Sequence, residues 1–543
     1  ASTVGMSLEA ARRSSRAAGE LMRLCAHLAP DDIPHDLLLA HPDALKGGLR
    51  RKPARDELDG TVGVLSSFSL VERLPDALSV HRLVQDVTRD DLSPRAQRQW
   101  AGSAVRLMAS GFPASSDDRE NWTTCERLLP HALDVAERAE RLGTELKATS
   151  RLLNGVALYL RARSQFQAAR AAFERALAID EAAYGPDHPS VGADLNNLAL
   201  VLRDVGDLAG AKERLERALA IGEAAHGPDH PIVGTRLNNL ALVLRNLGDL
   251  DGARERFERA LAVDEAAFGP DHPVVGTDVN NLALVLHDLG DLAGAKALFE
   301  RALAIAETAH GPDHPIVGTR LDRLALVLQD LGDLAGAKDR LERALAITEA
   351  AHGPHHPKVA TDLNDLALVL QDLGDLAGAK QRFERALAID EAAYGPDHPE
   401  LGADLNNLAV VLQDMGDLAG ARVHLERALA IDEAALGHDH PEVGTDLNNL
   451  ALVLQDMGDL AGAEEDFRRA VAIGEAAYGP HHPKVGTVLK NLALVLQDLG
   501  DLAGAKRCLE RAVAIDEAAY GPGHPLEGAR LNDLAAALRE LDN

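Results

Sequence analysis

The sequence feature that most constrains the fold is a segment of 42 residues that is repeated along most of the chain. Leu195–Leu200 reads Leu-Asn-Asn-Leu-Ala-Leu and recurs unchanged at Leu237–Leu242. One such unit is too small to bury its apolar residues alone, so neighbouring units are expected to stack. The repeat therefore predicts a solenoid whose function lies in an extended surface. Further copies, lightly altered, begin at Val279, Leu321, Leu363, Leu405, Leu447, Leu489 and Leu531.

Each repeat is predicted to form two helices. The apolar residues of Leu195–Leu202 follow the i, i+3, i+4, i+7 spacing of an amphipathic helix. Gly206 suits the left-handed cap that ends this helix, and Asp207 suits the N-cap of the next. Gly185–Pro189 has the glycine and proline order that ends one helix and begins another. The second helix has an apolar face formed by Leu208, Ala211, Leu215, Ala218 and Leu219.

The pattern of Leu198–Ala199, Gly206, Ala211, Leu215 and Ala218 resembles the tetratricopeptide repeat, in the long form found in kinesin light chains and many bacterial signalling proteins. One departure is that the usual Trp, Tyr and Phe positions are mostly Leu. The resemblance implies an all-α fold, a right-handed α-solenoid over residues 152–543 with about nine full repeats and a terminal capping helix. It implies little about function, because such arrays bind many partners.

The first 150 residues do not repeat and are predicted to form a winged helix over 1–100 and a helical connector over 101–151. Three helices are expected near Leu21–His27, Ile33–Leu39 and Leu58–Leu65. Two short strands are expected at Ser69–Glu72 and Leu78–Val80, around a proline turn.

This region resembles the segment that follows the nucleotide-binding domain in bacterial NB-ARC–tetratricopeptide proteins of the STAND class, which are relatives of NLR immune receptors. The resemblance implies that His81 senses the nucleotide state through the β-phosphate of ADP, although Arg82 replaces the acid that the family has next. The alternative is that His81 only satisfies local backbone groups. The landmarks are Leu24–Pro30, Ile33–Pro34, Ser69–Arg73, Leu78–Gln85, Gly111–Pro113, Trp122 and Leu128–Leu133.

The sequence contains no G-x-x-x-x-G-K-[ST] phosphate loop and no hydrolase or metalloprotease motif. We therefore expect this chain alone to be neither an enzyme nor a cofactor-binding protein. The resemblance implies an NB-ARC domain upstream of Ala1 that binds ADP or ATP.

Charge and cysteine content narrow the class of partner and the compartment. Residues 1–150 contribute only −2 to the net charge of −29, so the repeats carry −27. The electric field of such negative charge would repel nucleic acid. The acidic residues either form a solvated exterior or are complementary to a basic partner.

Cys25, Cys125 and Cys508 are expected to be buried thiols in a cytoplasmic protein, and no apolar run is long enough to cross a membrane.

One histidine per repeat directly precedes a proline. Equivalent atoms in stacked repeats lie ~8–10 Å apart or more, too far to share a metal ion. No metal site is therefore expected, and each histidine is predicted to cap the helix that follows. These residues are His188, His230, His272, His314, His356, His398, His440, His482 and His524.

Polar residues on the first helices are the candidate partner-binding residues. In the resembling family this helix lines the concave surface, and Asn can donate to and accept from a peptide backbone. Alternatively, Asn bridges adjacent repeats. Positions that differ among copies are better candidates for specificity, including Asp322, Arg323, Asp365 and Lys490. The predicted groove residues are Asn196, Arg203, Asn238, Arg245, Asn280, His287, Gln329, Asn364, Gln371, Asn406, Gln413, Asn448, Gln455 and Gln497.

The predicted function is that of a ligand-sensing, protein- or peptide-binding module of a STAND signalling ATPase. The module would contact its own NB-ARC domain and oligomerise on activation. One alternative is a scaffold or cargo adaptor of the kinesin-light-chain type. Another is a transcription regulator that binds DNA through the winged helix, with Lys46, Arg50, Arg51, Lys52 and Arg55.

Overall fold

The computed structural model describes residues 2–42 and 55–520. Within them the backbone forms twenty-five α-helices and three short strands. Contacts between Cα atoms divide the chain into two compact units, Ala1–Leu289 and Gly290–Asn543. None of the described helices is both long and apolar enough to span a membrane.

The first unit begins with a small mixed module, in which three strands form one antiparallel sheet in the order β1-β3-β2. Ile33 pairs with Leu78, and Glu72 pairs with Ser79. After α1, the chain forms a helix, a strand, two further helices and a β-hairpin. The elements are α1 Ser2–Ser14, α2 Arg16–Cys25, β1 Ile33–Pro34, α3 His35–Ala40, α4 Arg55–Ser67, β2 Glu72–Arg73, β3 Ala77–Ser79 and α5 Arg82–Asp90.

The expectation of two strands is wrong, because Ile33–Pro34 forms a third strand before α3 begins. A segment of two residues is too short to show the alternation that marks a strand. The strand is held by backbone bonds at its two ends, from His35 N to Asp76 O at 2.9 Å and from Val80 N to Pro30 O at 2.7 Å. Lys46–Lys52, proposed above for DNA binding, lies outside the described residues.

The connector consists of α6 Pro94–Gly111, a 3₁₀ turn Arg119–Asn121 and α7 Trp122–Leu142. Helix α6 continues across residue 100, where the sequence analysis placed a domain boundary. Cys25 and Cys125 are buried, as predicted, and burial raises the pKa of their thiols to about 12 and about 11. Cys508, predicted to be buried, is only half-buried.

Helical hairpins of 42-residue period follow the connector in both units. In the first unit the helices are α8 Leu146–Ala162, α9 Phe166–Tyr184, α10 Pro189–Asp204, α11 Leu208–His226, α12 Pro231–Asn246, α13 Leu250–Phe268 and α14 Pro273–Asp288. In the second unit they are α15 Leu292–His310, α16 Pro315–Asp330, α17 Leu334–His352, α18 Pro357–Asp372, α19 Leu376–Tyr394, α20 Leu401–Asp414, α21 Leu418–Leu436, α22 Pro441–Asp456, α23 Leu460–Tyr478, α24 Pro483–Asp498 and α25 Leu502–Tyr520. The copy predicted from Leu531 and its capping helix lie outside the described residues.

With one exception, the caps predicted for these helices are confirmed. His188 Nδ1 accepts a hydrogen bond from Ser190 N at 3.2 Å, and Asp207 Oδ1 accepts one from Gly210 N at 2.9 Å. Gly206 has φ 82°, the left-handed conformation that ends a helix at little cost only for glycine. The same histidine cap recurs at His230, His272, His314, His356, His440 and His482. The cap predicted at His398 is not confirmed, because α20 begins only at Leu401 and the bond from Glu400 N to His398 lies before the helix. His524 lies outside the described residues.

Each hairpin buries its apolar faces against its neighbours. In the first unit Leu177 of α9 packs on a cluster that joins α10 and α11, formed by Val191, Leu195, Ala218 and Ile221. In the second unit Ala306 of α15 joins a cluster shared by α16 and α17. Successive first helices also contact one another, α10 with α12 and α20 with α22. The predicted all-α solenoid is therefore confirmed in each unit.

Candidate functional site

The predicted asparagine row connects neighbouring repeats. Asn239 Nδ2 of α12 donates to Asn196 Oδ1 of α10 at 2.9 Å, and Asn281 of α14 donates to Asn238 at 3.0 Å. In the second unit Asn449 donates to Asn406, and Asn491 to Asn448, each at 3.0 Å. Asn280 is buried. At these junctions the carboxamides therefore bridge adjacent first helices, while their role toward a partner stays a prediction.

A second polar row, about two turns farther along the first helices, also connects repeats. Arg245 Nε donates to Asp288 at 2.5 Å, and Gln329 Nε2 donates to Asp372 at 2.6 Å. Arg203 instead pairs with Asp204 of its own helix at 3.2 Å, and His287 Nδ1 lies 3.9 Å from Asp288 Oδ1. Gln497 holds the same position in α24. Equivalent bonds join Gln371 to Asp414, Gln413 to Asp456 and Gln455 to Asp498.

An exposed apolar stripe lies between these two rows on three successive first helices. Leu326 of α16 is 41 % exposed, Leu368 of α18 is 38 % exposed and Val410 of α20 is 37 % exposed. Each of these residues comes four positions after the asparagine-row position of its helix, which in α16 is Asp322. Each also comes three positions before the glutamine of the second polar row. All three therefore lie on the face that the sequence analysis selected.

Pairs of aspartates, all buried except the half-buried Asp390, connect the second helix of one repeat with the first helix of the next. Within each pair the two carboxyl groups lie close enough to interact electrostatically. Burial raises the pKa of Asp194 and Asp446 to about 7 and that of Asp278 to about 8. Each pair therefore holds a proton near neutral pH. The pairs are Asp180–Asp194, Asp264–Asp278, Asp390–Asp404 and Asp432–Asp446.

Sequence reasoning missed these pairs, although the repeats contain a signal for them. Both aspartates, 14 residues apart, occur together in four copies. Where Gly222 replaces the first aspartate, Arg236 replaces the second and donates to Ala218 O at 2.6 Å. Ala306 and Arg320 repeat this exchange. Correlated differences among repeats thus identify residues in contact.

The asparagine row breaks between α16 and α18, at positions that the sequence analysis proposed for specificity. Asp322, Arg323 and Asp365 line one open cavity of about 340 Å³, together with Gln329 of the second polar row. Lys490 lies on α24, away from this cavity. The structure therefore brings three of the four proposed specificity residues together.

In the N-terminal module, His81 caps α5 and is exposed. Its Nδ1 accepts a hydrogen bond from Leu83 N at 3.2 Å, as in the repeat histidines. This is the local capping that the sequence analysis gave as the alternative. The nucleotide-sensing role stays a prediction. Among the described residues, no three His, Cys, Asp or Glu side chains converge to hold a metal ion.

A salt-bridged cluster that the sequence analysis did not predict connects this module to α7. Arg127 of α7 donates to both oxygens of Asp32 at 2.8 Å and to Asp76 at 3.0 Å. The hydrogen-bonded guanidinium holds the pKa of Asp32 below its usual range. His131 Nε2 lies 3.2 Å from Asp32 O, and burial lowers the pKa of this imidazole. The cluster borders a polar cavity of about 670 Å³ that also contacts Arg89.

Three of the solved structures that are similar to parts of this chain are the following. The TPR-like repeats of a kinesin light chain from Podosopora anserina are 26 % identical, covering 38 % of this chain and 98 % of that one, with a TM-score of 0.35. BtubC (BKLC) from P. vanneervenii is 22 % identical, covering 44 % and 94 %, with a TM-score of 0.37. A STAND protein with a tetratricopeptide repeat sensor from Pyrococcus horikoshii is 14 % identical, covering 77 % and 63 %, with a TM-score of 0.44. No curated protein matches the chain.

Two family models match the sequence. Residues 9–97 match a domain of unknown function, DUF7779. The tetratricopeptide repeat model matches nine overlapping segments that together cover residues 148–543, from 148–224 to 486–543. This match extends over well more than half of the chain, and within the described residues it coincides with the helical hairpins. The chain therefore belongs to the tetratricopeptide repeat family.

Proposed function

We propose that the repeat array is a protein-binding scaffold and that the apolar stripe of Leu326, Leu368 and Val410 contacts a segment of the partner. The observation that carries this proposal is the exposure of three large apolar residues in register on adjacent helices. Exposed apolar residues that form a row with polar borders are typical of protein-binding surfaces.

The two polar rows support the proposal by fixing the spacing of the stripe. Gln329 and Gln371 each donate to the next repeat at 2.6 Å, so the first helices are tied together on one side of the stripe. On the other side, Asn364 donates to Asp404 of the next repeat at 2.6 Å. A partner thus meets a preformed surface and loses little free energy in ordering it.

We predict that Leu368→Ala weakens partner binding about tenfold, because truncation of a central apolar contact costs more than about 1 kcal/mol. The partner segment is first selected from a displayed library of random 12-residue peptides on the full chain, and its Kd is measured by calorimetry. Leu200→Ala is the matched control, since Leu200 has the same register on α10 and is half-buried. The proposal fails if no peptide is selected, or if both variants bind it equally well.

We also propose that the chain is the sensor part of a cytoplasmic signalling ATPase of the STAND class, whose NB-ARC domain binds ADP or ATP. The support is the winged-helix order of elements directly before the array, with His81 exposed at the start of α5. Partner binding would shift the equilibrium from the resting to the active state only if the partner has different affinities for these two states.

For this second proposal, His81→Ala in the protein that includes the NB-ARC domain is expected to speed ADP release and to promote oligomerisation without a partner. The measurement is release of a fluorescent ADP analogue. His188→Ala is the control, because His188 caps its helix with the same 3.2 Å bond but lies in the array. The proposal is wrong if the coding sequence upstream of Ala1 has no phosphate loop, or if both variants behave alike.

A further inference from the structure

Where the asparagine row is unbroken, one asparagine forms hydrogen bonds with two residues of the next repeat. Asn406 of α20 donates to Asp446 Oδ1 of α22 at 2.6 Å and accepts from Asn449 Nδ2 of α22 at 3.0 Å. A neutral amide therefore lies between a buried carboxyl group and a second amide, and each contact pairs a donor with an acceptor.

Between α16 and α18 the three equivalent positions are Asp322, Asp362 and Asp365. Aspartate thus replaces both asparagines, so three carboxyl groups meet and no amide donor lies between them. Asp362 is only 6 % exposed and its Oδ2 is buried without a hydrogen-bond partner, as is Asp322 Oδ1. Burial, and then the charges of Asp362 and Asp365, raise the pKa of Asp322 to about 8. The Thr348 hydroxyl interacts with Asp362, and the charge of Arg323 acts on Asp322 and Asp365 less strongly than burial does. The junction therefore lacks the amide donors of the neighbouring junctions, and Asp362 Oδ2 and Asp322 Oδ1 have no hydrogen-bond partner among the described residues.

These oxygens lie at an open cavity of about 340 Å³, rimmed by Leu326 and Leu368 of the stripe. Arg323 also lines the cavity but is exposed, and among the described residues it forms no ion pair with these three carboxylates. The carboxylates do not belong to any metal-binding group among the described residues. A group that carries several hydrogen-bond donors would satisfy these unpaired oxygens.

We propose that this cavity binds a basic side chain, lysine or arginine, of the partner polypeptide, an inference that rests on the proposed function of the stripe. An ammonium group offers three donors and a guanidinium group five, which suits several unpaired acceptors at one place. The aliphatic stem of either side chain packs on Leu326 and Leu368. The net charge of −29 also favours encounter with a basic partner.

The test compares two synthetic peptides, acetyl-Leu-Lys-Leu-amide and acetyl-Leu-norleucine-Leu-amide, which differ only in the ammonium group. Calorimetry with the full chain at pH 7.5 is expected to show at least about tenfold tighter binding of the lysine peptide, since hydrogen bonds to a charged group are stronger than those between neutral groups. In the double variant Asp322→Asn, Asp365→Asn this preference is expected to fall below about twofold. That variant places asparagine at the two positions where other repeats have it, so we expect it to retain the fold.

Equal binding of the two peptides, or an unchanged preference in the double variant, overturns the inference. Tighter binding of free spermidine than of the lysine peptide, lost in the double variant, identifies a polyamine site and also overturns it. The selection from the 12-residue peptide library distinguishes failure of the cavity proposal from failure of the proposed function of the stripe. Selected peptides that need Leu368 but contain no basic residue support the stripe and contradict the cavity.

Discussion

Raising the pH from 5.5 to 8 is expected to lower the free energy of unfolding by about 2–3 kcal/mol for each aspartate pair. In the folded chain, burial raises the pKa of Asp194, Asp390 and Asp446 to about 7 and that of Asp278 to about 8. In the unfolded chain these carboxyl groups titrate near their ordinary pKa of 3.8. The folded state therefore holds protons that the unfolded state has lost, and this stability is lost as the pH rises toward 8.

The pair of Asp264 and Asp278 gives a direct test in Asp278→Asn. An asparagine amide donates to Asp264 without a titrating proton, so this variant should lose less stability than wild type between pH 5.5 and 8. Urea unfolding at both pH values measures the difference. Asp271→Asn is the control, since Asp271 is an exposed acid next in sequence to His272, whose charge acts on Asp264. An equal pH dependence in Asp278→Asn and wild type contradicts the shared proton.

The solenoid was predictable because the residues that begin and end each helix recur in every repeat. A histidine and a proline begin α10, and Gly206 ends it in the left-handed conformation, so local chemistry alone defines the hairpin. β1 was not predictable in this way. Its two residues are held by pairing with Leu78 and Ala77, more than 40 residues away, which no local pattern encodes.

The position of the candidate site was predictable from the sequence, but the hydrogen bonds that its side chains form with adjacent repeats were not. Asn196 and Gln329 lie on the first-helix face that was selected, yet an amide suits either a partner or a neighbouring repeat. Only the distance between repeats shows that Asn239 reaches Asn196. The buried aspartates were missed for a similar reason. Asp194 looks like a surface acid within its own helix, and α9 of the preceding repeat brings Asp180 against it.

Phe257→Ala is expected to destabilise the chain by about 3–5 kcal/mol, the range for removing a fully buried phenylalanine ring. Phe257 of α13 is among the largest fully buried side chains, with Phe173, Phe299, Phe383 and Phe467 at the same repeat position. The loss should be local, because each repeat contacts mainly its neighbours. Hydrogen exchange is therefore expected to speed up in α12 and α13, and to stay unchanged in α24 and α25.

Phe257→Leu is the matched control, since Leu215 and Leu341 occupy the equivalent position in other repeats and are buried there. A leucine leaves a smaller void, and we expect it to cost less than about 1.5 kcal/mol. Urea unfolding of the full chain compares the two variants. If alanine and leucine destabilise equally, the position tolerates loss of the whole ring, and the core of the repeat does not depend on this contact. If exchange speeds up in every repeat, the array unfolds as one cooperative body, and the nearest-neighbour account of its stability is wrong.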